Sequence, residues 1–246
     1  MGRGGWETRD WPRARPSRPT SLPPSLLPRF ALDHPAQRLG LPTGQHITLK
    51  ATHVDSGEDI MKPYTPVSDD ASLVGAVDFV IKVYPQGRVS RALDALKIGE
   101  TVLAKGPRGR FSYSRNMASA IGMVAGGTGV TPMYQVAAAA LRDGRDETKI
   151  SLVFANVSAA DILIKPALDA LARSHPTRFA VHYVLNEPPA GWTGSAGFVT
   201  PDVLKKHLPP PGPRTLVARC GPPPMNKAVA AALEGLGHAK ESLFEF

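Results

Sequence analysis

The sequence predicts two fold classes in series: an antiparallel β sheet or barrel, then a doubly wound α/β domain on a parallel sheet. Three observations carry this. Before about residue 115 the apolar residues recur with a period of two, interrupted by one short helix. After it, apolar strands and amphipathic helices alternate four times. At 246 residues and 42% apolar content, the chain has room for one large domain or two modest ones.

Residues 1–28 read as a disordered or misassigned tail. Pro12, Pro16, Pro19, Pro23, Pro24 and Pro28 punctuate it, and each removes a backbone donor that a central strand needs. Its arginines also suit an organelle transit peptide, although Glu7 and Asp10 lie inside it and no apolar stripe runs through it. Within residues 29–114, strands are expected at 45–50, around Ile47 and Leu49, at 77–84, and at 101–105. In the second of these, Val77, Phe79, Ile81 and Val83 share one face. A short helix is expected near 90–96. Within residues 115–246, strands are expected at 120–125, 150–155, 179–185 and 216–220. Helices open at Pro132, near Lys165, at Pro201 behind Thr200, and ahead of Met225.

Composition excludes several classes. Cys220 is the single cysteine, so neither an intramolecular disulfide nor a cysteine-built zinc site is available. The seven histidines show no H-x-x-x-H spacing, and no metal is expected. No run reaches the roughly 20 apolar residues of a membrane span. The net charge is +8, half of it in the first 30 residues, so the remainder is too mildly basic to argue for nucleic acid.

Four segments carry chemistry. Gly126-Gly127-Thr128-Gly129-Val130-Thr131-Pro132-Met133 follows a strand and opens a helix, which aims backbone amides at the strand's carboxyl end and suits pyrophosphate. Its glycines let a ligand approach closely, though a plain strand-to-helix turn explains them equally well. Cys220-Gly221-Pro222-Pro223-Pro224-Met225 has the same logic, against the alternative of a buried cysteine closing a core strand. Lys62-Pro63-Tyr64-Thr65-Pro66 pins Tyr64 and Thr65 between prolines, or is a proline-punctuated edge strand. Gly87-Arg88-Val89-Ser90 leads into the short helix, with Ser90 as its cap and Arg88 beside a second anion site, or as a solvated arginine.

Taken in order, these segments resemble the NADH-cytochrome b5 reductase family, of plant and algal type, within the ferredoxin reductase-like flavoproteins. The residues that carry the resemblance are Lys62–Pro66, 80–90, Gly106-Pro107-Arg108-Gly109-Arg110-Phe111, the two loops above and the terminal Phe244-Glu245-Phe246. It implies a six-stranded antiparallel FAD barrel followed by an NAD-binding α/β domain, with Pro19, Pro23, Pro24 and Pro28 standing where the family has the barrel's first strand and putting that strand in question. It further implies hydride transfer from NADH to FAD and single-electron delivery to cytochrome b5, by a monomer. The family works at the cytosolic face of the endoplasmic reticulum or the mitochondrial outer membrane, and its membrane anchor is not recognisable here.

By the same resemblance, Lys62, Pro63, Tyr64, Thr65, Val80, Lys82, Arg88, Val89 and Ser90 contact FAD, with Thr65 near flavin N5 and Lys82 paired with cofactor charge. Gly127, Thr128, Thr131 and Pro132 lie between flavin and nicotinamide. Cys220, Gly221, Pro222 and Met225 take the nicotinamide side, and Phe246 closes the barrel-lobe interface. Thr65, Lys82 and Cys220 are the residues expected at the reaction. Lys62 replaces a common arginine and loses its bidentate fork. Asn186 replaces an acid that selects NADH in some members, which leaves NADPH open as reductant. Two other readings stand at this stage: a reductase module for another acceptor, as in nitrate reductase or a quinone reductase, and a reductase-like shell whose incomplete barrel holds no FAD.

Overall fold

The computed structural model describes Arg13, Ala14 and residues 25–69 and 71–246. The chain separates into two compact units, Met1–Ser112 and Tyr113–Phe246.

The first unit contains β1 (Arg13–Ala14), β2 (Ser25–Leu26), β3 (Arg29–Ala31), β4 (His46–Thr52), β5 (Asp59–Tyr64), β6 (Ala76–Asp78), β7 (Ile81–Lys82), α1 (Arg88–Ala95) and β8 (Leu103–Arg108). They form three antiparallel ladders, β1-β3-β6, β2-β7 and β5-β4-β8. Phe30, Leu49, Phe79, Ile81 and Leu93 are fully buried between them, and Phe30 and Phe79 meet edge to face at 5.9 Å.

Two expectations change. Within the stretch expected to be tail, Ser25–Leu26 pairs with β7 and Arg13–Ala14 with β3. Neither pair includes a proline, so the donors that strand pairing needs are present. The rest of residues 1–24 lies outside the described residues. The expected strand 77–84 is broken into β6 and β7, because Phe79 and Val80 are both buried and strict alternation fails there.

The second unit contains β9 (Ala120–Gly126), α2 (Val130–Arg142), β10 (Lys149–Asn156), α3 (Lys165–Ser174), β11 (Phe179–Leu185), β12 (Ser195–Ala196), α4 (Pro201–His207), β13 (Thr215–Cys220), α5 (Pro223–Gly235) and β14 (Leu243–Glu245). The sheet is parallel throughout, in the order β12-β11-β10-β9-β13-β14. Its direction of travel reverses between β9 and β13, which makes that crevice the switch point where open α/β sheets bind ligands. Val124, Val153, Val184 and Val217 pack on Leu204 of α4 and on Val229 and Leu233 of α5. On the opposite face the Phe154 ring lies 6.3 Å from that of Tyr183, whose hydroxyl donates to Asp169 of α3 at 2.7 Å. Pro201 opens α4 as expected, and Thr200 caps it, its hydroxyl accepting from Val203 N at 3.3 Å. Among the described residues no helix is long and apolar enough to cross a membrane.

His182 on β11 and His207 at the end of α4 stack with centroids 3.6 Å apart and planes 7° apart, and His182 Nε2 lies 2.8 Å from the Ser195 hydroxyl. Burial pushes both imidazoles below their ordinary value of 6.5. The charge of Lys206 adds to this at both rings, and that of His207 acts on His182. The unfolded chain therefore takes up these protons at higher pH than the folded one. The stability they contribute is complete above about pH 6.5 and is lost as pH falls through the lower folded values. The melting temperature should fall between pH 7 and about 5. His207→Phe, which keeps the stack without the charge, should reduce that slope in a calorimetric series; an unchanged slope would refute the assignment.

Candidate cofactor sites

At the carboxyl edge of the parallel sheet, β9 ends at Gly126 and a 3-10 turn, Gly127–Gly129, leads into α2. The helix opens at Val130 rather than at Pro132, which sits third in it. A proline is tolerated anywhere in a first turn because its missing N–H has no helical partner there. Gly127 adopts φ +53°, a conformation that favours glycine. Gly127 and Thr128 are half-buried, whereas the side chains of Thr131 and Pro132 are buried. The Thr131 hydroxyl donates to Thr128 O at 3.1 Å. The part of the loop accessible to a ligand is therefore Gly127–Thr128.

Gly129 has a different task from the one its sequence suggests. A Cβ on it would overlap the Cys220 carbonyl oxygen and carbon. The missing side chain lets two loops of the protein meet; it does not make room for a ligand.

Cys220 ends β13 and is half-buried. Burial, and after it the charge of Glu245, pushes its thiol up to about 11. The thiol is protonated at neutral pH and is no nucleophile. Pro222 caps α5, and Met225 in the first turn packs against Gly221 and Gly126, its Sδ 2.9 Å from where a Cβ on Gly126 would stand. Two residues that sequence reasoning missed brace this loop. Asn226 Nδ2 donates to Gly221 O and to Glu245 Oε1, both at 3.1 Å. Glu245 Oε2 accepts from Arg219 at 2.8 Å. Phe246 N donates to Arg219 O at 3.1 Å, and its ring lies 5.0 Å from Phe244. Nothing in the sequence marks Glu245 as a brace, since it sits in a terminal aromatic run. Cys220→Ala should therefore leave turnover within about tenfold of wild type, because backbone bonds and Asn226 hold the loop. Loss of all activity in a folded, yellow variant would show instead that the thiol takes part in the chemistry.

In the first unit, Lys62, Pro63 and Tyr64 lie on β5, an edge strand of its ladder, where Pro63 opposite Thr48 costs little. The Tyr64 ring meets Phe79 edge to face at 6.5 Å, and burial pushes its hydroxyl up to about 12. Thr65 follows, half-buried, ahead of buried Pro66. Helix α1 opens at Arg88, and its N-cap is Gly87, not Ser90. Ser90 is the third helical residue, and its hydroxyl donates back to Gly87 O at 3.3 Å and accepts from Tyr84 N at 3.4 Å. Glycine brings no side-chain cap, so the first amides of α1 stay open to an anion. Arg88 is exposed and paired with Glu58 at 2.7 Å. Lys82 Nζ lies 5.5 Å from the Tyr84 ring centroid. Val80 and Val89 are buried, so a ligand meets only their backbone.

These residues fit the two cofactors. An aromatic ring, a short hydroxyl and uncapped amides beside an arginine suit a flavin with its pyrophosphate. The sheet edge of the second unit supplies an open glycine turn and, in Asn156, a buried amide with neither atom paired. Among the described residues no cluster could hold a metal.

Comparison with known proteins agrees. The Oxidoreductase FAD-binding domain family matches residues 25–113 and the Oxidoreductase NAD-binding domain family residues 123–231. An FAD-binding domain followed by an NAD-binding domain defines a flavin- and nicotinamide-dependent oxidoreductase. NADH-cytochrome b5 reductase 1 of Debaryomyces hansenii is 50% identical over 212 residues, 86% of this chain and 74% of that protein. Its counterpart in Arabidopsis thaliana is 46% identical over 217 residues, 88% and 76% of the two chains. The crystal structure of the cytochrome b5 reductase domain of Ulva prolifera nitrate reductase matches with a TM-score of 0.90 and 38% identity, over 96% of both chains. The chain belongs to the NADH-cytochrome b5 reductase family.

Proposed function

We propose that this chain oxidises NADH through FAD and passes the electrons to cytochrome b5, the acceptor in its relatives' names. The observation that carries the reading is the carboxyl edge of the parallel sheet. There the Gly127–Thr128 turn and the Cys220–Met225 loop flank the switch point and are held together at Gly129. When bound, FAD accepts hydride from NADH and releases electrons singly. The protein's part is positioning. The amides of Gly127 and Thr128 hold the dinucleotide's phosphates. Cys220, Gly221, Pro222 and Met225 form the wall for nicotinamide, with Phe246 closing it. On the flavin side, Tyr64 covers the ring system and Thr65 offers a hydroxyl to it. Lys62, Lys82, Arg88 and the amides of Val89 and Ser90 balance the cofactor's charge.

Lys62 and Arg88 are given to the cofactor and Arg91 is paired with Asp55, which leaves exposed Arg108 and Arg110 to attract an acidic haem protein. The purified protein should be yellow and bleach on anaerobic addition of NADH. Its cytochrome b5 reduction should slow several-fold between about 20 mM and 0.5 M salt, as the Debye length falls well below 10 Å, while reduction of a neutral quinone changes little. A protein colourless even after added FAD would refute the enzyme reading. Equal salt response with both acceptors would favour the second reading, a reductase module for another acceptor, to which the Ulva nitrate reductase domain points.

A further inference from the structure

Asn156 ends β10, is 7% exposed, and neither Oδ1 nor Nδ2 of its amide has a hydrogen-bond partner. A buried amide left unpaired costs free energy, and native structures keep few of them. Its surroundings point to a ligand. Ala155 pairs with Gly126, so Asn156 stands level with Gly127, the open residue of the glycine turn. Side chains alternate along a strand, which puts Asn156 on the face of Phe154, Tyr183 and α3. Helix α2, which opens from the glycine turn, packs beside α3. The amide thus lies at the carboxyl edge of the sheet, on the side of that turn. Its neighbour Asn186 does not supply the partner: its backbone N donates to Asn156 O at 3.1 Å, and its own Nδ2 donates to Gly197 O at 3.1 Å.

We propose that Asn156 binds the ribose of the AMP half of the nicotinamide dinucleotide, accepting from a hydroxyl through Oδ1 and donating to an oxygen through Nδ2. This rests on the reading of the second unit's sheet edge as the nucleotide site. A phosphate only accepts and would leave Oδ1 unpaired, whereas ribose hydroxyls both donate and accept. With nicotinamide at the loop after β13 and the phosphates at the turn after β9, the end of β10 is the next position along the sheet, where the AMP half falls.

The test is calorimetric titration of the oxidised, FAD-loaded full chain with NAD+, 5′-AMP and nicotinamide mononucleotide, together with its melting temperature without nucleotide. Asn156→Leu and Asn156→Ala should each weaken NAD+ and 5′-AMP about tenfold. Nicotinamide mononucleotide should be unaffected, and the melting temperature should stay level or rise, since the unpaired amide is gone. Wild-type protein that binds no NAD+ would bring down the site reading, and the inference with it. Wild-type binding with both variants within twofold of it would overturn the role of Asn156 alone. So would equal weakening of nicotinamide mononucleotide, or a melting temperature lowered by several degrees in both variants, which would mark the amide as an internal structural one.

Discussion

Gly129→Ala should lower the rate of flavin reduction by NADH by at least about 10²-fold while leaving the FAD content intact. The added methyl has no free space, because it would overlap the carbonyl carbon and oxygen of Cys220. Both are backbone atoms, at the end of a strand paired along its length with β9, so no side chain can turn aside to relieve the clash. Either α2 or the Cys220 loop must move, and a shift of about 1 Å in a positioning loop is enough to cost two orders of magnitude. Strain of this kind also destabilises by about 1–3 kcal/mol. FAD should remain because Gly129 lies in the unit that matches the NAD-binding family. The control is Gly235→Ala, at the end of α5, where a Cβ meets nothing within 4 Å. It should leave the rate unchanged and raise stability by a few tenths of a kcal/mol. Stopped-flow traces and thermal melts of the two variants decide the matter, and a Gly129→Ala enzyme reduced at the wild-type rate would show that the loops need no such contact.

The second unit was far more legible in the sequence than the first, for a physical reason. A parallel sheet buried on both faces writes each strand as an apolar run, so the bounds of 179–185 are met by β11 and those of the other three central strands shift by no more than one residue at either end. The edge strands β12 and β14 are two and three residues long and leave no period to read. In the first unit the ladders are short and antiparallel, and burial of adjacent Phe79 and Val80 erases the alternation that would define one strand. At the sites, loop chemistry could be read wherever glycine or proline marks it. The tasks that depend on a distant partner could not. Gly129 suggested ligand access until its contact with Cys220, far along the chain, was seen. Glu245 and Asn226 lie 19 residues apart and brace the same loop. A strand-end asparagine such as Asn156 looks like any turn residue until its amide proves buried and unpaired.

Thr65→Val should slow flavin reduction by NADH about 10²-fold, the usual cost of losing one positioned donor, with FAD still bound and the melting temperature unchanged. The proposed place of the hydroxyl against the flavin ring rests on a rigid frame. On one side, Tyr64 is held in register with Ile47 and braced by Phe79. On the other, Pro66 is buried, and the residue before a proline is confined to extended backbone. The direction of the Thr65 side chain is therefore set before any cofactor arrives. Valine keeps the shape and branching of threonine and removes only the hydroxyl, for which no partner is found among the described residues. That is why stability should not change while the reaction does, and why Thr65→Ser, which restores the hydroxyl, should recover most of the rate. Single-turnover stopped-flow reduction of the three proteins separates the outcomes. A Thr65→Val enzyme reduced at the wild-type rate would remove the hydroxyl from the reaction. One that slows because it has lost FAD would make Thr65 a binding residue rather than a participant in hydride transfer.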